Sequence, residues 1–338
     1  MKRDVPPRRV LGDMNNPLEY LTDEQFRSRY RLRKASYRHL LPLLHEELEH
    51  INQRGRPLPP HMQLLCALRS YACGTFQEVC GDLQNISQPS KSRIVYKVSR
   101  VLAAQRAQFI RFPVGSEADE VRNNFRNMYG LPQVIGCIDC THIPIQSPGG
   151  ENRELFRCRK GYMSINVQAI CNDKLHFTNI FARWPGSVHD SRVFNNSEIC
   201  AKLENGEIEG LLLGDAGYAC LPYLLTPCRN PASLAQRRYN SAHRRTRSTV
   251  ERMFGVWKRR FACLKMTLRT KLGTTTLSII IATAVLHNFA MHMNEPEWKE
   301  IDIDIENLLH DENENDLHIE NNAMGEAVRD TVVQRYFA

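Results

Sequence analysis

The sequence predicts a mixed α/β domain over residues 134–294, preceded by a helical domain at 1–115 and joined to it by a connector at 116–133. Three observations carry that prediction. Residues 20–111 place apolar side chains at helical spacing. At Val134 the chain switches to short, β-rich apolar runs bounded by turn residues. Helical patterning then returns beyond about residue 248. With 338 residues, 42% of them hydrophobic and 24% charged, the chain can bury a sizeable core, which excludes collagen-like, low-complexity and wholly disordered classes.

The elements follow in order. Glu24 to Glu49 has Phe26, Tyr30, Leu32, Tyr37, Leu40, Leu41 and Leu44 on a helical face, and Pro42 is expected to divide or kink it. Met62 to Ala72 is a second helix, ended by Gly74. A short helix from Thr75 to Leu83, a turn, and a helix with Ser87 as cap and Pro89 in its first turn make a helix-turn-helix-like segment. Its second helix has Ile94, Val95, Val98 and Val101 as the apolar face. Lys91, Arg93 and Lys97 lie on or near the other faces, as DNA-binding candidates for a major groove. An ordinary helical hairpin is the plainer alternative. The connector contains a short helix, Glu117 to Tyr129.

In the α/β region, Val134 to Ile138 is a strand ending at Asp139. Ser164 to Cys171 and Leu175 to Ala182 form a hairpin around Asn172-Asp-Lys174. Pro185-Gly-Ser187 leads into a helix through about Leu203, and Leu211 to Gly214 is a buried strand ending at Asp215. A helix is expected from about Ser248 to Leu264. Leu277 to Met293 is apolar, but it is shorter than a bilayer span and interrupted by His287 and Asn288, so it reads as a buried helix and no membrane is expected. Ala327 to Phe337 has the periodicity of a helix that docks.

Two aspartates at strand ends, Asp139 and Asp215, and Glu251 on a later helix could converge at one sheet edge. Hard divalent cations require such oxygen ligands. Two ions ~4 Å apart would activate water and stabilise a leaving oxygen at phosphorus. Taken singly, each acid has a structural reading. Asp215-Ala-Gly-Tyr218 fits a plain turn, Ser248-x-x-Glu251 fits a capping box, and Ser187-x-x-Asp190 is a variant of the same box.

Charge distribution favours the combined reading. The net +8 hides a strongly basic body and a tail, 295–338, with 13 acids against Lys299, Arg329 and Arg335. Arg229 to Lys271 contains 13 Lys and Arg residues, and its one acid is Glu251. Arg244, Arg245, Arg247, Lys258, Arg259 and Arg260 from this stretch are further DNA-binding candidates. The eleven cysteines follow no apolar leader and are expected to be reduced thiols in cytosol or nucleus. Cys137 and Cys140 should face opposite ways on a strand, so they read as packing and not as zinc ligands. Cys66, Cys73 and Cys80 also read as packing, and His142 and His189 as core residues or supports for nearby acids.

The motifs resemble a family. Gly136-Cys-Ile-Asp-Cys-Thr-His142, Arg159 to Cys171 (RKGYMSINVQAIC), Trp184 to Phe194 (WPGSVHDSRVF), Leu213-Gly-Asp-Ala-Gly-Tyr218, Leu225-Thr-Pro227, Val250 to Phe261 and Leu286-His-Asn-Phe289 occur in the order found in PIF/Harbinger-type DDE transposases and the nucleases derived from them. The resemblance implies an RNase H-like, retroviral-integrase-like catalytic domain. It implies catalytic and metal-ligating roles for Asp139, Asp215 and Glu251, with Asp190 as a fourth metal ligand and Mg²⁺ or Mn²⁺ as the cofactor. DNA phosphodiester hydrolysis is the implied chemistry, and strand transfer the addition made by active transposases. A Myb/SANT-like DNA-binding partner and a location in the nucleus, and also the cytoplasm, are implied as well. A domesticated DNA-binding or scaffold protein without cleavage is the competing function. The sequence leaves homo-oligomerisation open.

Overall fold

The computed structural model describes residues 16–49, 57–73, 86–297 and 321–338. The expected helix at 75–83, the first half of the helix-turn-helix reading, lies outside the described residues, as do Cys80 and most of the acidic tail.

Seven helices precede the sheet in the described residues: α1 (Pro17–Tyr20), α2 (Asp23–Tyr30), α3 (Lys34–Leu48), α4 (Pro60–Cys73), α5 (Gln88–Ala104), α6 (Arg106–Phe109) and α7 (Ser116–Tyr129). The stretch expected to break at Pro42 breaks earlier. Arg31 adopts a left-handed conformation, φ 65°, and closes α2. Pro42 lies inside α3, where buried Leu40, Leu44 and Leu48 hold the helix across it. Ser87 stands at the N-cap of α5, but its hydroxyl donates to Ser90 Oγ at 2.9 Å instead of accepting from an amide.

The sheet has five strands: β1 (Val134–Pro144), β2 (Ser164–Cys171), β3 (Phe177–Pro185), β4 (Leu211–Leu213) and β5 (Leu224–Leu225). Their order is β3-β2-β1-β4-β5. β1 runs antiparallel to β2 and parallel to β4, while β2 pairs antiparallel with β3 and β4 parallel with β5. β1 is longer than expected, because beyond its parallel pairing with β4 it continues against β2 as far as Pro144↔Ser164. Asp139 therefore lies within a strand. What ends beside it is the parallel ladder, at Cys137↔Leu213.

Helices cover both faces. α8 (Asp190–Asn195) and α9 (Glu198–Glu204) replace the single helix expected there, and Phe194 and Leu203 from them pack on Ile138, Ile170 and Leu212. On the other face, α10 (Leu234–Arg260) and α11 (Leu277–His292) share a core with Cys137, Val167 and Leu213. That core extends without interruption to Phe26, Tyr37 and Leu65 of the leading helices. α11 is the apolar segment questioned as a membrane span; Ile280, Ala284 and Val285 are fully buried within the molecule. α12 (Ala323–Phe337) docks on α10, with the Phe337 and Tyr239 rings 5.8 Å apart.

Candidate metal centre

The site grows out of the strand register. Cys137 pairs with Leu213, so two residues further along each parallel strand Asp139 and Asp215 emerge side by side. Carboxyl ends of parallel strands are where such sheets present ligands. Asp190 arrives from a third element. The Trp184–His189 turn folds tightly onto β2, with the Gly186 amide donating to Ser164 O at 2.9 Å, and α8 begins at Asp190. Gly186 permits this approach, because a Cβ there would clash with Ser164 Oγ and the Phe156 carbonyl. Buried Asn166 of β2 then holds Asp190, donating from Nδ2 to Asp190 Oδ1 and to Val188 O, each at 2.9 Å.

Asp139, Asp190 and Asp215 bring carboxylate oxygens within 4.8 Å of one another. Asp139 Oδ1 also accepts the Cys140 amide at 2.7 Å, and Asp215 Oδ1 accepts the Gly217 amide at 3.0 Å. Asp215 thus makes the expected turn and faces the site as well. Burial, reinforced by Asp215 and Asp190, pushes the Asp139 carboxyl well above its ordinary range, against the pull of Arg247. Three like charges in a desolvated cleft are costly unless a cation joins them. The donors are hard oxygens, which fits Mg²⁺ or Mn²⁺.

Glu251 does not join this trio directly. Arg247, one helical turn earlier, donates to Glu251 Oε1 at 2.6 Å and reaches Asp139 Oδ2 at 3.4 Å, standing between the two acids. Asp139, Asp215 and Glu251 thus lie at one edge of the sheet, with Arg247 between Asp139 and Glu251. Asp190 takes the third place in the carboxylate group, and Glu251 is linked through a guanidinium. The capping-box reading of Glu251 is also excluded, because α10 starts at Leu234 and Glu251 lies deep within it. The box that exists is Ser233 with Gln236, and Ser248 Oγ bonds back to Arg245 O at 2.7 Å. The N-cap of α8 is His189, which makes no side-chain cap hydrogen bond.

The DNA-binding candidates divide. Lys91 is buried, because helical spacing puts it on the same face as Val95, Val98 and Leu102. Arg247 is buried in the acidic site. Arg260 ends α10 against the leading helices, donating to Arg31 O at 3.3 Å, and burial pushes its pKa down to about 10. These three are corrected as surface phosphate contacts. Lys97 caps the C-terminal end of α3, donating to Leu48 O at 2.8 Å and Glu49 O at 3.2 Å. Lys258 pins α10 to β1 through Thr141 Oγ1 at 2.7 Å and His142 O at 3.0 Å. Arg93 and Arg244 are exposed, Arg259 is half-buried, and the guanidinium of exposed Arg245 lies 4.5 Å from the Tyr129 ring centre.

Cys137 Sγ contacts Thr246 O at 3.4 Å while Cys140 Sγ lies 3.5 Å from Tyr218 Oη, so the two thiols face opposite sides of the sheet. The ten described cysteines are free thiols. His142 Nδ1 lies 3.0 Å from Ser164 Oγ, and His189 Nδ1 lies 2.8 Å from Arg159 Nη2. Sequence reasoning missed Asn166 and Arg247 as organisers of the acids. The i,i+4 spacing of Arg247 to Glu251 was the available signal; Asn166, paired with His142 across β1 and β2, had none.

These features make a candidate divalent-metal site on a mixed α/β sheet, and the chain has known relatives. Residues 138–288 match the family model described as DDE superfamily endonuclease. The chain is 34% identical over 285 residues to the Homo sapiens protein named "Putative nuclease HARBI1", covering 83% of this chain and 81% of that one. The Mus musculus protein of the same name is 35% identical over 286 residues, with the same coverage. The Arabidopsis thaliana "Protein ALP1-like" is 24% identical over 310 residues, covering 85% of this chain and 74% of that one. No solved structure matches. The chain belongs to the Harbinger transposase-derived nucleases, within the DDE superfamily endonucleases.

Proposed function

We propose that the protein is a metal-dependent DNA endonuclease, hydrolysing phosphodiester bonds on an RNase H-like sheet. The observation that carries this reading is the approach of Asp139, Asp190 and Asp215 to within 4.8 Å. The strand order, with parallel β1, β4 and β5 and an antiparallel β2–β3 hairpin, supports the fold assignment. Mg²⁺ or Mn²⁺ would be held by Asp139, Asp190 and Asp215, with Glu251 alongside. A pair of such ions supplies Lewis acidity at phosphorus and a nucleophile at neutral pH.

The chain's own residues do the positioning. Asn166 fixes the Asp190 carboxylate, and the Cys140 and Gly217 amides orient Asp139 and Asp215. Arg247 keeps Glu251 and Asp139 in one charge network. Exposed Arg93, Arg244 and Arg245, with Arg259, offer charge to DNA phosphates. A Myb/SANT-like partner and a nuclear location, shared with the cytoplasm, belong to the same proposal. The test is Mn²⁺- or Mg²⁺-dependent nicking of DNA by wild type beside Asp139→Asn and Asp215→Asn. Cleavage confined to wild type supports the reading; equal activity, or none, in all three overturns it.

The Arg247–Glu251 pair favours a second reading, a DNA-binding protein without cleavage, because a fourth acid is already engaged by a cation of the chain itself. DNA binding without any metal-dependent cut in the same assay would select it.

A further inference from the structure

Beside the carboxylates stands a built cationic lip. Residues 158–162 form a tight turn in which the Cys158 amide donates to Tyr162 O and the Gly161 amide to Cys158 O, both at 2.9 Å. Arg157 Nη1 donates to the Gly161 carbonyl at 2.6 Å, and Arg157 pairs with Met163 across the base of the turn. Gly161 has φ +85°, which a side chain would resist. Arg159 and Lys160 thus stand side by side, exposed, at the tip of a fixed turn.

The tip faces the site. Arg159 reaches His189, the residue before Asp190, at 2.8 Å. Lys160 acts on His142 and on Lys258 as a neighbouring positive charge. Lys258 is itself bonded to the end of β1, three residues beyond Asp139, and Lys265 adds a further positive charge to it. Burial first, then Lys160 and Lys265, push the Lys258 ammonium down to about 8. The nearby Glu154 is already paired with Arg153 and Arg157. Asp139 draws the Lys258 ammonium the other way, and the exposed Arg159–Lys160 tip offers its charge to a phosphate chain.

We propose that the Arg159–Lys160 turn, with Lys265, is a phosphate-binding subsite that grips the DNA backbone beside the bond presented to Asp139, Asp190 and Asp215. The proposal rests on the nuclease reading and adds the means by which the strand is held across the acids. Arg159 supplies a planar fork for a phosphate's oxygens, and the lysines supply point charges along the same strand.

The experiment measures binding of a labelled DNA duplex in EDTA across a series of salt concentrations, for wild type, Lys160→Glu and Arg159→Ala/Lys160→Ala. The variants alter an exposed turn tip and leave the three aspartates in place. They are expected to bind several-fold more weakly, equally for unrelated sequences, with the slope of log K against log salt reduced by about one per cation removed. Mn²⁺ binding by calorimetry should be unchanged. Unchanged DNA affinity and slope in the variants would overturn the subsite, and so would loss of Mn²⁺ binding, which would assign the turn to construction of the metal centre. If wild type cuts DNA while the variants bind like wild type, the subsite alone fails. If wild type neither binds nor cuts DNA, the nuclease reading fails with it.

Discussion

At the scale of single residues, the acids store strain that the protein must hold in place. Asp139 is 15% exposed and sits between Asp190 and Asp215. Removing its charge relieves repulsion and desolvation while Arg247 keeps Glu251 as a partner. Asp139→Asn should therefore raise the metal-free Tm, by roughly 2–4 °C for about 1 kcal/mol, while abolishing cleavage. Differential scanning fluorimetry in EDTA checks this, and a lower Tm would contradict it. Two histidines set an acid limit. His243 and His287 are buried, each directs Nε2 at a backbone carbonyl, and burial pushes them down to about 4 and about 3. The unfolded chain, with ordinary histidines near 6.5, binds these protons first. Stability should then be full above about pH 6.5 and fall as pH drops toward 4, by up to about 1.4 kcal/mol per pH unit for each histidine. Urea denaturation at a series of pH values tests the slope, and Asn or Gln at both positions should flatten it. Asp139 and Asp215 were legible in the sequence because each follows a short apolar run, although β1 continues past Asp139. Lys91 was not, because a lysine inside an amphipathic pattern is ordinarily assigned to the wet face, and here positions 91, 95, 98 and 102 are buried together.

Among the elements, α10 shows where pattern reading stops. Its second half, with Val250, Met253, Phe254 and Trp257, has the apolar stripe that marks a helix. Its first half buries Tyr239, His243 and Thr246 among arginines, so the same helix reads there as a polar stretch, and 14 residues before Ser248 were missed. β5 was invisible for a different reason: two residues, Leu224 and Leu225, have no periodicity to detect. The β2–β3 hairpin was legible from its β-rich runs around Asn172-Asp-Lys174, and β2 begins and ends at Ser164 and Cys171 as expected, although all eight of its residues are buried. The docking of α12 depends on one close approach. A Cβ on Gly325 would collide with the Cys220 carbonyl and Leu221 Cα. Gly325→Val should lift α12 from α10, costing about 1–3 kcal/mol and exposing Tyr239. Faster trypsin cleavage at Arg329 and Arg335 reports it, and an unchanged digestion rate would speak against the packing described.

Across the whole molecule, the leading helices and the sheet share one core, and a polar clasp fastens those helices to the segment after α11. Glu295 has a fully buried side chain, accepts from the Arg33 amide at 2.9 Å and from Arg33 Nε at 3.3 Å, and is also bonded by Ser36 Oγ. Arg33 and Arg27 in turn hold carbonyls of Met293 and Pro296 at 2.8 and 2.9 Å. Glu295→Ala should cost about 2–3 kcal/mol, less than for a wholly buried pair because Arg33 is 43% exposed. Chemical denaturation measures it. The net charge of +8 carried no sign of this arrangement, since Glu295 counts in composition as one more acid of the tail. Of the body's positive charge, Arg247 bonds Asp139 and Glu251, and Arg159 reaches His189 beside Asp190. Asp139, Asp190 and Asp215 are proposed to form a metal centre. Calorimetric titration of Mn²⁺ into wild type and into Asp139→Asn, Asp190→Asn and Asp215→Asn tests it most directly. Saturable binding by wild type, weakened at least tenfold in each variant, is the predicted result. Absence of binding by wild type, or binding undiminished in the variants, would contradict it.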